Sequence, residues 1–336
     1  MRLGYVLRRL GFLVMVMWAA ATINFMLPRM TGIDPIRMQI NLQITMEGLT
    51  EETAQARWEA YTKLFGLDKP VWEQYLIYIK NMSRLSLGYS IKDYPRTVIE
   101  IIAQVLPWTL ALVGVATVIA FIIGTLLGAL LGWNNSPRAM SMLIPPLMVF
   151  SAAPAFVVAM VLIYVVSYKL HWTPLMGGFS QTMIPDWSDF SFWVDVLWHA
   201  ILPACSLIVV SVGSWALGMR AMMITVEGAD YMTFAEAKGL KGVRLFFQYA
   251  LRNAMLPQIT SLAIQLGAIV SGSALVEVYF QYPGLGNRLN NAIGTFDYYV
   301  ISGIVFFMVT GIALATFLVD MIYPLLDPRI SYQRGT

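Results

Sequence analysis

Six stretches of this chain contain no Asp, Glu, Lys or Arg, and each is long enough to cross a bilayer: 10–28, 101–137, 139–168, 196–219, 253–276 and 298–319. The shortest has 19 residues, and about 20 apolar residues rising 1.5 Å each span a hydrocarbon core of about 30 Å. The chain is 58% hydrophobic and only 12% charged, whereas soluble domains carry about 25% charged residues. One water-soluble core cannot hide this much apolar surface. The runs are continuous rather than alternating segments of about ten residues, which argues against a transmembrane barrel. The expected class is an all-α polytopic membrane protein with six transmembrane helices.

The basic residues orient it. With a cytoplasmic N-terminus, the inner segments hold eleven Lys and Arg, from Arg2 to Arg334, against Glu227, Asp230, Glu236 and Asp327. The short outer loops, 170–197 and 282–297, hold one basic residue, Arg288. This positive-inside bias predicts that both termini are cytoplasmic and that 31–98 lies outside. The N-terminal run also allows a secretory signal. It is longer than a signal core, however, so a retained first helix is the expectation. Cys205 is the only cysteine, which excludes an intrachain disulfide and a cysteine metal site.

The outer region 29–100 carries nine basic and nine acidic residues. Thr50 before Glu51 and Glu52 predicts a helix N-terminus. Ala54, Trp58, Tyr61 and Phe65 recur near helical spacing, and Gly66 is placed to end that helix. Pro70 opens a second helix bearing Trp72, Tyr75, Leu76, Ile79 and Met82. Within the membrane runs, Gly124, Gly128 and Gly132 share one helix face and allow another backbone to approach closely. Pro145, Pro146 and Pro154 are each expected to bend or break the third run.

Residues 228–256 are too polar to span. Asp230 is expected to cap a short helix running to Lys238, and Gly239 and Gly242 to bracket a sharp turn. A second helix would place Val243, Phe246, Phe247, Ala250, Leu251 and Ala254 on one face, with Arg244, Gln248 and Arg252 on the other. Such a knob is either an interfacial amphipathic helix or a docking element for a cytoplasmic partner.

This segment resembles the EAA loop of ATP-binding-cassette importer permeases, in the variant of the dipeptide/oligopeptide permease family. The match lies in Asp230-Tyr231, Ala235, Ala237-Lys238-Gly239-Leu240, Ala250-Leu251-Arg252-Asn253-Ala254 and Pro257. Thr233 and Phe234 stand where Glu and the first Ala of the general pattern are expected. Other segments agree in order: Gly66-Leu67-Asp68-Lys69-Pro70 with Gln74-Tyr75, Leu87-Gly88-Tyr89-Ser90, Tyr282-Pro283-Gly284-Leu285-Gly286 and Asp327-Pro328-Arg329. The outer segment 38–60 departs from the family pattern, being longer or more divergent, and the role of 38–64 is left open.

The resemblance implies the type I importer permease fold with an extracytoplasmic helical insert after the first span. Residues 1–30 would form the tail and first span, 31–100 the outer region, and 101–336 the permease core with its cytoplasmic loop 221–256. It implies a bacterial or archaeal cytoplasmic membrane, and membrane lipid as surroundings. The implied partners are a second homologous permease, two cytoplasmic ATP-binding subunits and an external solute-binding protein, with no nucleic acid. Asp230, Tyr231, Phe234, Ala235, Ala237, Lys238, Gly239 and Leu240 would couple to the ATPases. ATP and Mg would be used by those partners, and this chain would bind no cofactor. Small or polar residues in the spans, namely Ser151, Ser211, Ser214, Gln265 and Ser271, are expected along the path. Cargo would be an oligopeptide, with a gluco-oligosaccharide such as a cello-oligosaccharide as the alternative.

No catalytic constellation is expected. The chain has no G-x-x-x-x-G-K-[ST] phosphate loop with which to hydrolyse ATP. His171 and His199 are the only histidines, and they lack metal-ligand spacing. Glu277 and Asp320 sit at span ends, where structural pairing is expected rather than the proton coupling of an ion-driven secondary transporter. Trp172, Trp187, Trp193 and Trp198 fit an interfacial aromatic belt, or alternatively a surface for stacking sugars.

Overall fold

A computed structural model of the chain describes residues 3–30, 32, 35–47, 50–134, 136–267, 269 and 273–326. Fourteen α-helices run in chain order among them: α1 (Leu3–Met30), α2 (Pro35–Glu47), α3 (Glu51–Leu64), α4 (Val71–Ser83), α5 (Val98–Gly132), α6 (Ile144–Ala152), α7 (Ala155–Leu162), α8 (Phe190–Glu227), α9 (Asp230–Ala237), α10 (Gly242–Leu245), α11 (Arg252–Gly267), α12 (Ala274–Tyr279), α13 (Leu285–Gly294) and α14 (Tyr298–Leu326). A 3-10 turn over Arg138–Leu143 leads into α6, and π turns over Ile163–Lys169 and Phe246–Leu251 extend α7 and α10.

Among the described residues, four helices are long and apolar enough to cross a membrane: Gly4–Leu27, Val98–Gly132, Phe190–Glu227 and Tyr298–Met321. The third charge-free run is a broken pair, Arg138–Ala152 and Ala155–Lys169, bent by 102°. The break falls at Pro154, which precedes α7 in extended backbone. Pro145 and Pro146 break nothing, contrary to expectation. They occupy the first turn of α6, where no backbone N–H is needed for an intrahelical bond. The run 253–276 is helical over Arg252–Gly267 and again from Ala274, and residues 268 and 270–272 lie outside the described residues.

The chain packs as two compact units, Met1–Pro107 with Gly284–Thr336, and Trp108–Pro283. In the first, α1 lies against α14 and α4. Asn24 Nδ2 donates to the Ser302 carbonyl at 2.6 Å, and Tyr298 OH donates to the Asn24 carbonyl at 2.9 Å. Asp320 does pair, with Arg9 at 2.6 Å. A carboxylate at Asp297, 1% exposed, gathers segment 90–92 onto the start of α14. It accepts from Ser90 Oγ and from the backbone N–H groups of Ile91 (3.2 Å) and Lys92 (3.3 Å). Helices α2 and α3 share a small core of Ile36, Ile40, Ala54 and Ile91, with Trp58, Tyr61 and Phe65 packed on it. The expected stop at Gly66 is present. Its φ is +65°, and Gly66 and Leu67 return N–H bonds to the Lys63 and Thr62 carbonyls, the double bond of a left-handed helix C-terminus. Thr50 is at the N-cap of α3, but its hydroxyl makes no capping bond.

In the second unit the glycine ridge of α5 meets α8 at backbone distance. A Cβ on Gly124 would lie 2.5 Å from Trp215 Cβ, one on Gly128 2.2 Å from the Ala216 carbonyl oxygen, and one on Gly132 2.6 Å from Met223 Cβ. The three glycines, one turn apart, therefore align the two longest helices along their length. Glu277 is fully buried and accepts a bond from Thr109 Oγ1 at 2.8 Å. Trp187 stacks edge-on with Trp193 and Phe192, and Trp108 meets both Phe179 and Tyr282. Trp172 and Trp187 keep more than half their surface exposed, as residues of an interfacial belt do.

Candidate functional site

Helix α9 has eight residues, too few to be stable alone in water. Its two ends and one face hold it. Ala229, not Asp230, is the N-cap residue, and no side chain caps the end. Asp230 is instead the first helical residue, where its carboxylate still complements the positive end of the helix dipole. The C-terminus closes on Gly239, whose φ is +82°. Gly239 N–H reaches the Glu236 carbonyl at 2.8 Å, and Leu240 N–H reaches the Ala235 carbonyl at 3.2 Å. Both bonds require the left-handed conformation, which glycine adopts without a Cβ penalty.

One face of α9 is buried. Met232 and Ala235, 3% and 2% exposed, join Met219, Met223 and Val226 of α8, Ala129 of α5, and Leu245, Phe246, Ala250 and Ala254 downstream. Leu240 packs on the margin of this cluster. Ala235 therefore turns into this chain's own core, and its small size serves that packing rather than a partner's cleft. The outward side carries Tyr231 (41% exposed) and Phe234 (62% exposed), one turn apart, with Asp230, Ala237, Lys238 and Gly239 also exposed. Lys238 Nζ lies over the Phe234 ring at 4.6 Å, which holds an apolar ring in water beside a cation. Partial burial pushes the Tyr231 phenol above its ordinary pKa. The eight residues singled out in the sequence are thus brought together on one capped helix and its turn, but they face two ways.

Downstream, the expected single apolar face is not kept. Phe246, Ala250 and Ala254 are buried, whereas Val243 and Phe247 are 73% and 54% exposed. The inward side is instead the one carrying Leu245, Phe246, Ala250 and Ala254, which packs on Met219, Met223 and Val226 of α8; a π turn covers Phe246–Leu251. Phe247 meets Phe246 edge-on at 4.9 Å.

The path candidates separate. Ser151 is half-buried: its Oγ donates to the Met148 carbonyl at 2.9 Å, and Gly213 of α8 packs against it. Ser211 is half-buried, Ser214 one turn further along α8 is exposed, and Gln265 on α11 is exposed. Ser271 lies outside the described residues. The sequence reading overlooked Gln258, a buried amide of α11 lying against Gly218 of α8. It also missed Glu227, whose Oε1 accepts from the Asn134 N–H at 3.0 Å. Polarity inside an apolar run marks Gln258 in retrospect, whereas nothing local marks Glu227. No group of three or more His, Cys, Asp or Glu able to hold a metal occurs among the described residues.

Residues 120–332 match the family described as "binding-protein-dependent transport system inner membrane component". The chain is 31% identical to the di/tripeptide transport system permease protein DppB of Pseudomonas aeruginosa, over 99% of this chain and 100% of that one. It is 30% identical to the dipeptide transport system permease protein DppB of Escherichia coli K12, over 99% and 100%. It is 29% identical to the oligopeptide transport system permease protein AppB of Bacillus subtilis, over 98% and 99%.

Proposed function

Because the chain belongs to the family of binding-protein-dependent transport system inner membrane components, we propose that it is a membrane-spanning permease subunit of an ATP-driven peptide importer. The observation that carries the coupling role is α9, an eight-residue helix clamped on one side to its own core and presenting Tyr231 and Phe234 on the other. A helix too short to stand alone, yet capped and seated, is built to receive force at its exposed face and pass it to α5 and α8. Relatives of near-identical length are named for dipeptides, tripeptides and oligopeptides, and this supports a peptide cargo over the gluco-oligosaccharide alternative.

In this reading both termini and α9 lie on the cytoplasmic side of a bacterial or archaeal inner membrane, with six spans, and the basic excess of the inner segments supports that orientation. The third of these spans is kinked at Pro154. A second homologous permease completes the path, and Ser211, Ser214 and Gln265 face it. Two cytoplasmic subunits hydrolyse ATP with Mg, and an external solute-binding protein delivers cargo near the outer helices α2–α4. This chain performs no chemistry and holds no cofactor. It converts closure of the ATPases into rearrangement of its helices. The two span-end acids do not favour ion-driven transport: Asp320 is paired with Arg9, and Glu277 is bonded by Thr109. The test is uptake of radiolabelled dialanine into sealed proteoliposomes holding the whole complex. The reading predicts uptake that needs ATP and survives collapse of proton and sodium gradients. Uptake driven by a gradient without ATP would overturn it.

A further inference from the structure

We infer that the corner Trp133–Asn134, just past the end of α5, is a second arm of the coupling element and makes α5 move with α9. Three independent contacts tie it there. Trp133 lies edge-on to Phe246, centroids 5.3 Å apart at 76°. Asn134 N–H donates to Glu227 Oε1, at the last residue of α8 before α9, at 3.0 Å. Gly132 packs so closely that a Cβ would sit 2.8 Å from the Arg220 carbonyl oxygen and 2.6 Å from Met223 Cβ. Ala129 and Trp133 are part of the cluster that buries Met232 and Ala235 of α9.

The physical consequence follows from how these contacts deform. Close-packed side chains transmit displacement because gaps of even a fraction of an ångström forfeit contact energy. An edge-to-face aromatic pair and a charge-assisted bond add direction to that packing. A push on the outward face of α9 reaches α8 through the chain itself, since only Gly228 and Ala229 separate the two helices. It has no such covalent route to α5, which lies about 100 residues earlier. The Trp133–Asn134 corner supplies the route, and the glycine ridge then carries the motion along both helices together.

This inference rests on the coupling role proposed for α9, and its test separates the two. Dialanine uptake and ATP hydrolysis are measured together in proteoliposomes of the assembled complex. Trp133→Ala is expected to keep hydrolysis while transport per ATP falls at least about fivefold, the low end of coupling between linked sites. Trp133→Phe, which keeps an aromatic edge, is expected to restore the ratio. If Trp133→Ala fails to assemble, Glu227→Leu against Glu227→Gln repeats the test at the exposed end, because only Gln keeps an acceptor for the Asn134 N–H. Independently of cargo, a Trp133→Cys/Phe246→Cys pair on a Cys205→Ala background should crosslink equally well with and without ATP–vanadate trapping. A wild-type ratio in Trp133→Ala, equal ratios in both Glu227 variants, or a crosslink lost on trapping would overturn the inference. Wild-type transport that needs no ATP would instead overturn the importer reading, and the inference with it.

Discussion

Replacing Gly239 by Val isolates the backbone requirement of the α9 turn. The residue has φ +82°, and a Cβ built on it meets nothing within 4 Å. No clash confuses the result, and the whole cost is conformational. A left-handed conformation costs an L-residue about 1–2 kcal/mol, at the upper end for a β-branched side chain. That energy opposes the two bonds that close the helix, Gly239 N–H to Glu236 and Leu240 N–H to Ala235. A shift of this size changes a local equilibrium about 5–30-fold, so the last turn of α9 frays while the membrane helices stay intact. The assay is ATP hydrolysis and dialanine uptake in the reconstituted complex. Gly239→Val should hydrolyse ATP but transport poorly, and Gly239→Asn should lie close to wild type because Asn tolerates the left-handed region. Equal transport in Gly239→Val, Gly239→Asn and wild type would refute the reasoning, since the turn would then not need its backbone conformation.

Further predictions concern topology, packing and path. On a Cys205→Ala background, Thr53→Cys and Lys241→Cys should react with an impermeant thiol reagent from opposite sides of the membrane, and same-side labelling would end the six-span arrangement. Gly128→Val should lower the thermal midpoint of the purified protein or prevent its accumulation. Its Cβ would fall 2.2 Å from the Ala216 carbonyl oxygen, and overpacking typically costs about 1–3 kcal/mol. Gly11→Val, with open space around its Cβ, should melt like wild type. Ser214→Trp and Gln265→Trp, on exposed positions of α8 and α11, should block uptake without loss of assembly, and if both are silent the path runs elsewhere.

What the sequence made legible was whatever depends on local periodicity. Charge-free runs gave the long helices, the four-residue glycine repeat gave the α5–α8 approach, and Gly66 and Gly239 gave helix ends. Each needs only nearby residues to be read. The misreadings occurred where distant packing decides. Pro145 and Pro146 look like Pro154 in isolation, yet they lie inside the first turn of α6, whereas Pro154 stands in extended backbone between α6 and α7. Val243 and Phe247 share a 3.6-residue face with Phe246 and Ala250, yet only the latter two join the cluster formed with α8, a residue set no local period shows. Ala235 was grouped with the residues that would couple to the ATPases. It faces inward because α8 and α5, distant in sequence, bring Met223 and Ala129 to it. Asp297 and Glu227 bear no local mark, since their bonding partners lie 205–207 and 93 residues away.

The account stands or falls on which face of α9 meets the ATPase, and a site-specific photocrosslinker reads that directly. Placed singly at Phe234 and at Ala235 in the assembled, nucleotide-free complex, it compares an exposed and a buried position one residue apart. The account predicts a crosslink to the ATP-binding subunit from Phe234, and from Ala235 only crosslinks within this chain. No adduct from Phe234 in a complex that still transports, or an ATPase adduct from Ala235 alone, would contradict it.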